Sequence, residues 1–367
     1  MKNNTQNIYV LLWIVITLSS CTEKQDKAVQ STISLKEVQG ETSHDELFEI
    51  VDCTPMEASS TSLMGDIDKM QVYQNKYYIL DKITTKKVFV FNFDGSFSHS
   101  IGSIGSGPGE YINIQDFTID KENEQIVLLT TPSLVYIYDM AGSFLHSKKI
   151  GDPLFWSICS SPEGFVCSTN EKIFTEEGNT FQLFSFDKEF NLKGKNISLP
   201  PEQIAFLPFI TNPLIDTKKE IAYFDNFTST LSLFPYNAIQ EIQSFHFELN
   251  DAVPGEAWSN PQLFINNQRN YSFFLEAYVI ESTLWAFIVN KGKIAFLKFN
   301  TETGEKVFND YQDYFPKILT YDDGYFYSSL SPTSILEGED RQYPLNPSAI
   351  HPLEEDGNMV IVKYKLK

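Results

Sequence analysis

Beyond about residue 45 the chain is built from short runs in which aromatic or aliphatic residues occupy every second position, each run closing in a turn signal. Val88-Phe89-Val90-Phe91-Asn92-Phe93 is followed by Asp94-Gly95, and Val135-Tyr136-Ile137-Tyr138-Asp139 by Ala141-Gly142. Alternation with period two predicts strands, and Asp-Gly accepts the positive φ that a tight hairpin needs. The two runs continue as Ser96-Phe97-Ser98-His99 and Ser143-Phe144-Leu145-His146, so whole units copy one another. Further copies are read at Gln182 to Asp187, Leu231 to Phe234 and Ile294 to Phe299. Taking Phe93, Tyr138, Phe186, Phe234 and Phe299 as equivalent gives steps of 45, 48, 48 and 65 residues. A period in the forties made of short strands predicts a β-propeller. The long last step places an insertion at about Asp251 to Asn270.

Each of these runs is the third strand of a blade. Second strands precede them at Tyr77–Leu80, Ile126–Leu129, Gly164–Cys167, Ile221–Phe224 and Leu284–Phe287. A sixth second strand stands at Tyr325–Ser328, but Pro332, Pro344 and Pro347 interrupt the stretch after it. The last run, Met359 to Tyr364, is expected to fill the missing place, with Glu46 to Val51 as the outermost strand. The expectation is therefore an all-β chain: a six-bladed β-propeller of four-stranded antiparallel blades, closed by N- and C-terminal strands in blade six, over residues 46–367. Closure removes sheet edges that would otherwise be adhesive.

The segment between the first two units, Gly102-Ser103-Ile104-Gly105-Ser106-Gly107-Pro108-Gly109-Glu110-Tyr111, precedes Phe117-Thr118-Ile119-Asp120. It resembles the Gly-x-x-Gly-x-Gly-Pro-Gly-Glu-Phe linker of six-bladed β-propeller lipoproteins related to NHL-repeat proteins, with Tyr111 in place of Phe. The resemblance covers about residues 46–367 and implies a binding or scaffolding role. The segment is not a phosphate loop: it lacks the Lys-Ser/Thr ending, and a strand follows it. Its glycines suit a tight inter-blade crossing.

The first twenty residues read as an address. Lys2 precedes an apolar run of eleven residues from Ile8 to Leu18, too short to span a bilayer as a helix. Leu18-Ser19-Ser20-Cys21 resembles a bacterial lipoprotein signal, which implies lipidation of Cys21 and a cell-envelope location, the outer membrane of a Gram-negative bacterium. Periplasmic and surface exposure both stay open. Residues 21–45 are polar and read as a flexible tether.

The chain carries 28 Lys and Arg against 48 Asp and Glu, a formal charge of −20. That field repels phosphate backbones and argues against nucleic acid as a partner. Arg269 and Arg341 are the two arginines. Cys53, Cys159 and Cys167 follow Cys21. A turn at Ser161-Pro162-Glu163-Gly164 would pair Cys159 with Val166 and set Cys167 on the opposite face, so buried free thiols are expected rather than a disulfide. His99, His146 and His246 fall on outer strands of different blades, too far apart to share a metal, and no cofactor is expected.

Two constellations remain. Trp258, Arg269, Tyr271, Arg341 and Tyr343 stand on inserted or irregular loops, where exposed aromatics and arginine suit binding of a protein or extracellular ligand. Asp68, Asp116 and Glu276 fall on innermost strands and would converge at the channel mouth. The first set predicts a monomeric, non-catalytic binding module attached to the membrane by its lipid alone. The second would serve a metal-dependent hydrolase or lyase of the lactonase kind. A structural subunit of an envelope assembly is the third reading.

Overall fold

Tyr77, Tyr78, Ile79 and Leu80 are consecutive and all buried, so this strand is covered on both faces. Such a strand needs an apolar sheet on either side of its own. Radial sheets supply it. The computed structural model describes residues 29–151, 154–169, 180–199, 213–236, 239, 243–258, 260–312, 317–337 and 343–367. Six antiparallel sheets stand in a ring, giving the six-bladed β-propeller that the repeat predicts.

Blade one comprises Lys69–Tyr73, Lys76–Asp81, Lys87–Asn92 and Phe97–Ile101, from the axis outward. Blade two comprises Ile114–Asp120, Gln125–Thr130, Leu134–Asp139 and Phe144–Lys149. Blade three runs Ser157–Ser161, Gly164–Ser168, Thr180–Phe186 and Leu192–Leu199. Blade four runs Leu214–Asp216, Ile221–Asp225, Thr230–Phe234 and Gln243–Leu249. Blade five has Ser272–Ile280, Thr283–Asn290, Lys293–Asn300 and Lys306–Tyr311. Blade six has Ile318–Asp322, Tyr325–Leu330, the C-terminal Val360–Leu366 and, outermost, the N-terminal Phe48–Pro55.

Alternate residues of each strand enter different cores. Tyr77 and Phe89 pack with Tyr327 and Ile361 between blades six and one. Tyr78 and Val90 pack with Phe117 and Leu128 between blades one and two. Four further clusters fill the remaining interfaces, so each pair of neighbouring blades shares one core. One register differs from expectation. The backbone N–H groups of Asn92, Asp139, Asp187 and Asn300 close equivalent turns, which makes Phe91 rather than Phe93 the counterpart of Tyr138 and Phe186.

Residues 29–42 depart further from the predicted tether. Val29–Leu35 adds a parallel fifth strand to blade four, and Glu41–Thr42 does the same on blade five, before the chain enters blade six. Leu35 is buried and Ile33 packs on the same core. Lys36 pairs with Glu248 at 3.0 Å, and Gln39 N–H donates to Phe308 O at 2.7 Å. A short belt thus covers two outer edges that would otherwise invite pairing with another chain. Deleting residues 29–42 is expected to lower the melting temperature and cause concentration-dependent association, read by calorimetry and gel filtration. Leu35→Ala alone is expected to cost about 2–3 kcal/mol. Loss of a mere tether would change neither. Residues 1–28, including the expected signal and Cys21, lie outside the described residues.

The glycine-rich segment is the predicted crossing. Ser103–Ile104 pairs in parallel with Glu110–Tyr111, and Glu110 Oε2 accepts the Gly107 N–H at 2.7 Å. Gly102 has φ +80°, and a side chain there would meet the Tyr111 ring at 2.6 Å. The cysteine register also follows expectation: Cys159 faces Val166, and Cys53, Cys159 and Cys167 are buried free thiols. Burial pushes Cys53 and Cys159 up to about 12, so they are protonated, unreactive thiols.

Candidate functional site

The ring has two unlike ends. At one end the first and second strands of each blade turn tightly, at 74–75, 121–124, 162–163, 217–220, 281–282 and 323–324. At the other end lie the inter-blade connections and the links between second and third strands, which carry the short helices Gly255–Trp258, Pro261–Asn267 and Pro332–Leu336. We call these the hairpin end and the loop end.

A cavity of about 230 Å³ occupies the axis toward the hairpin end. Every blade contributes an inner-strand residue or its neighbour to the wall, among them Gln71, Thr118, Ile158, Ile215, Val279 and Tyr321. Charges around it are matched: Lys188 reaches Asp120 at 2.8 Å and Glu122 at 3.4 Å, and Lys218 lies 3.8 Å from Asp322.

Lys69 also lines this cavity, buried and fully engaged. Its Nζ donates to both oxygens of Asp116, at 2.8 and 2.9 Å, and to Ile158 O at 3.3 Å. Asp116 in turn accepts the N–H of Ile158 at 2.8 Å and of Phe117 at 2.8 Å. One ion pair therefore ties the inner strands of blades one, two and three. It also consumes the carboxylate that sequence had offered for metal binding.

Asp68 precedes its strand rather than lying on it, since the inner strand of blade one begins at Lys69. It accepts the Lys82 N–H at 2.7 Å. Burial raises its pKa, and Lys82 and Lys317 oppose the rise. Glu276 is buried on the inner strand of blade five. Desolvation raises it to about 8 against the pull of Lys317, whose Nζ donates to Ile67 O at 3.0 Å. Asp68, Asp116 and Glu276 are thus near the axis, but Asp116 answers to Lys69 whereas the other two share Lys317. Among the described residues no three His, Cys, Asp or Glu side chains are grouped for one metal ion.

Glu276 gives a pH signature. Its folded pKa exceeds the ordinary carboxylate value, so the folded chain holds the extra proton between about pH 4.5 and 8. Its contribution is complete below that window and is lost as pH rises through it. Glu276→Gln is expected to match the parent near pH 4.5 and to exceed it at pH 8 by at least about 1 kcal/mol, measured by urea unfolding across pH.

The aromatic set falls apart differently. Trp258, expected on an exposed loop, is 7% exposed. It stacks on Phe264 at 6.1 Å and meets Phe227 edge-on at 5.0 Å, while half-buried Tyr271 packs on the far side of that small core. The insertion buries its own aromatics, which sequence cannot distinguish from display. Arg269 is exposed at its end. Tyr343 packs against the core between blades five and six rather than in that cluster, and Arg341 lies outside the described residues. His99, His146 and His246 fall on outer strands of three blades, as expected.

Sequence reading missed the loop end of blade one. Asp81 there is completely buried and accepts hydrogen bonds from Gly65 N–H at 2.8 Å, Thr84 N–H at 2.9 Å, Thr85 N–H at 3.2 Å and the Thr85 hydroxyl at 3.0 Å. One carboxylate thereby joins the connection from blade six to the turn after it. The only sequence signal was an Asp closing a strand.

One solved structure shares this fold. A Bacteroides fragilis protein named as an exported protein superposes with a TM-score of 0.72 at 15% identity, over 92% of this chain and all of its own. The WD40 repeats of RRP9 give 0.44 at 7% identity, over 87% of this chain and 100% of theirs. The β-propeller domain of Myceliophteria thermophila Cps50 (Swd1) gives 0.43 at 9%, over 74% and 82%. No curated protein matches the sequence. The model of a family described as a domain of unknown function, DUF4934, matches residues 30–365.

Proposed function

The chain belongs to the DUF4934 family, and on that premise we propose that it is a non-catalytic binding module, held outside the cytoplasm by lipid on Cys21, that engages a protein or extracellular ligand with its loop end. The supporting observation is the inequality of the two ends. Tight turns close one, whereas the other gathers the long connections, three short helices and exposed Arg269. Variable loops on a rigid frame are the usual seat of recognition. In this reading Trp258 and Tyr271 support the inserted loop from beneath, and Arg269 is exposed on it. The exported relative of the same fold supports a place outside the cytoplasm. The site is the outer membrane of a Gram-negative bacterium, and the chain acts as a monomer.

Affinity capture from membranes with the anchor intact, run beside a carbohydrate array, tests this. A stoichiometric protein partner or a defined glycan is the expected result. An isolated chain that binds neither, in an assay where Cys21→Ser leaves membrane association unchanged, would overturn both binding and anchoring.

A further inference from the structure

We propose that the loop end of blade one is the docking surface for a soluble protein partner that presents an apolar patch of its own. This rests on the binding-module reading above and assigns its contact face.

Leu63, Ile83, Ile104 and Ile112 are 57, 70, 54 and 71% exposed. Leu63 belongs to the connection from blade six to blade one. Ile83 tips the turn between the second and third strands of blade one, and Ile104 and Ile112 flank the glycine-rich crossing to blade two. Single exposed aliphatics are ordinary, but neighbouring ones mark interaction sites. These loops are neighbours. A side chain at Gly65 would meet Thr84 Cβ at 2.7 Å, Lys86 Nζ donates to Asn113 Oδ1 at 3.0 Å, and Tyr111 donates to Lys86 O at 2.9 Å. By contrast, among the described residues, none of the six turns that join first to second strands exposes a large aliphatic side chain.

The platform is also rigid. Asp81 fastens two of the loops, and the parallel pair Ser103–Ile104 with Glu110–Tyr111 fastens the third. Preorganised apolar groups lose little entropy on binding. Lys82, whose ammonium lies 5.3 Å from the Trp156 ring, and Lys86 supply a polar rim, with Asp66 and Glu110 of opposite sign.

Position selects the occupant. Val29 lies on the outer edge of blade four, beside Gln243. Cys21 stands eight residues before it, and that length spans at most about 29 Å when fully extended. An anchor on Cys21 therefore keeps blade four beside the bilayer. In a ring of six, blade one is opposite blade four. Its aliphatic loops face the aqueous compartment, where they meet protein rather than lipid.

The test uses the full anchored chain with a photo-crosslinking amino acid at position 83, 112, 265 or 163, the last on the hairpin end. Irradiation of cells is expected to join positions 83 and 112, but not 163, to one protein other than this chain. The Leu63→Asp, Ile104→Asp double variant is expected to abolish the adduct while its melting temperature stays unchanged, because both side chains point to solvent. The identified protein, once purified, is expected to bind this variant at least roughly tenfold more weakly. Adducts from position 265 alone would overturn the placement and leave a loop-end binder standing. Adducts from none of the loop positions would overturn both. Adducts with a second copy or with lipid would overturn the choice of partner.

Discussion

A chain ending at Asn358 is expected to lose cooperative unfolding altogether, not merely one strand. Val360–Leu366 lies between Tyr325–Leu330 and Phe48–Pro55 and pairs with both along its length. Without it the first two strands of blade six keep each other, but Phe48–Pro55 has no sheet to join. Val360, Ile361, Val362 and Tyr364 also leave the cores on either side of blade six, where they are all buried. Burying one such side chain contributes about 1.5–3 kcal/mol, so four approach the whole stability of a typical domain. The ring opens, and blades one and five each present an uncovered apolar face. Circular dichroism melting with dye binding is the measurement. A truncated chain that melts at the parent temperature would refute closure through blade six.

Lys69→Met is expected to destabilise by about 3–5 kcal/mol, because it strands Asp116 as a buried carboxylate without its counter-charge. Both partners are under 10% exposed, and the carboxylate sits among Phe117, Ile158 and the inner strands of three blades. Asp116→Asn is expected to cost less, since the amide oxygen still accepts from the backbone while Lys69 keeps Ile158 O. The double variant Lys69→Met, Asp116→Leu is expected to recover most of the loss, as replacement of a buried pair by apolar groups commonly does. A double-mutant cycle on urea midpoints reads all three. Additive losses, with no recovery in the double variant, would mean that the pair does not act as a unit.

The legible part of the fold was its middle strands. Second and third strands are covered on both faces, so their composition is extreme: Tyr77-Tyr78-Ile79-Leu80 or Leu284-Trp285-Ala286-Phe287 admits few other readings. Inner strands line the axial cavity and mix in Asp, Lys, Gln and Thr. For that reason Asp68 was expected on the inner strand of blade one, which begins one residue later at Lys69. The belt was illegible for another reason. A strand added to an edge is held mainly by backbone hydrogen bonds and needs only one apolar face, here Ile33 and Leu35 in an otherwise polar stretch. Polarity suggested a tether where geometry made a strand.

Candidate chemistry was harder still, because it depends on partners remote in sequence. Lys69 and Asp116 stand 47 positions apart, and nothing local to either shows that they meet at the axis. Trp258 looked like a displayed anchor, yet Phe227 and Phe264 enclose it. Ile83, Ile104 and Ile112 carry no shared signal in sequence, and only the contact of the crossing with the turn, through Lys86, Tyr111 and Asn113, brings them side by side.

The belt has a mechanical consequence. Traction applied to the chain ahead of Val29 does not reach the closing strand of blade six directly. It falls first on Val29–Leu35, then on the two residues Glu41–Thr42, and only afterwards on Phe48–Pro55. Each must peel from its blade in turn. A pulled molecule would lengthen in stages while its ring still held, much as a seat-belt unspools before the buckle is strained.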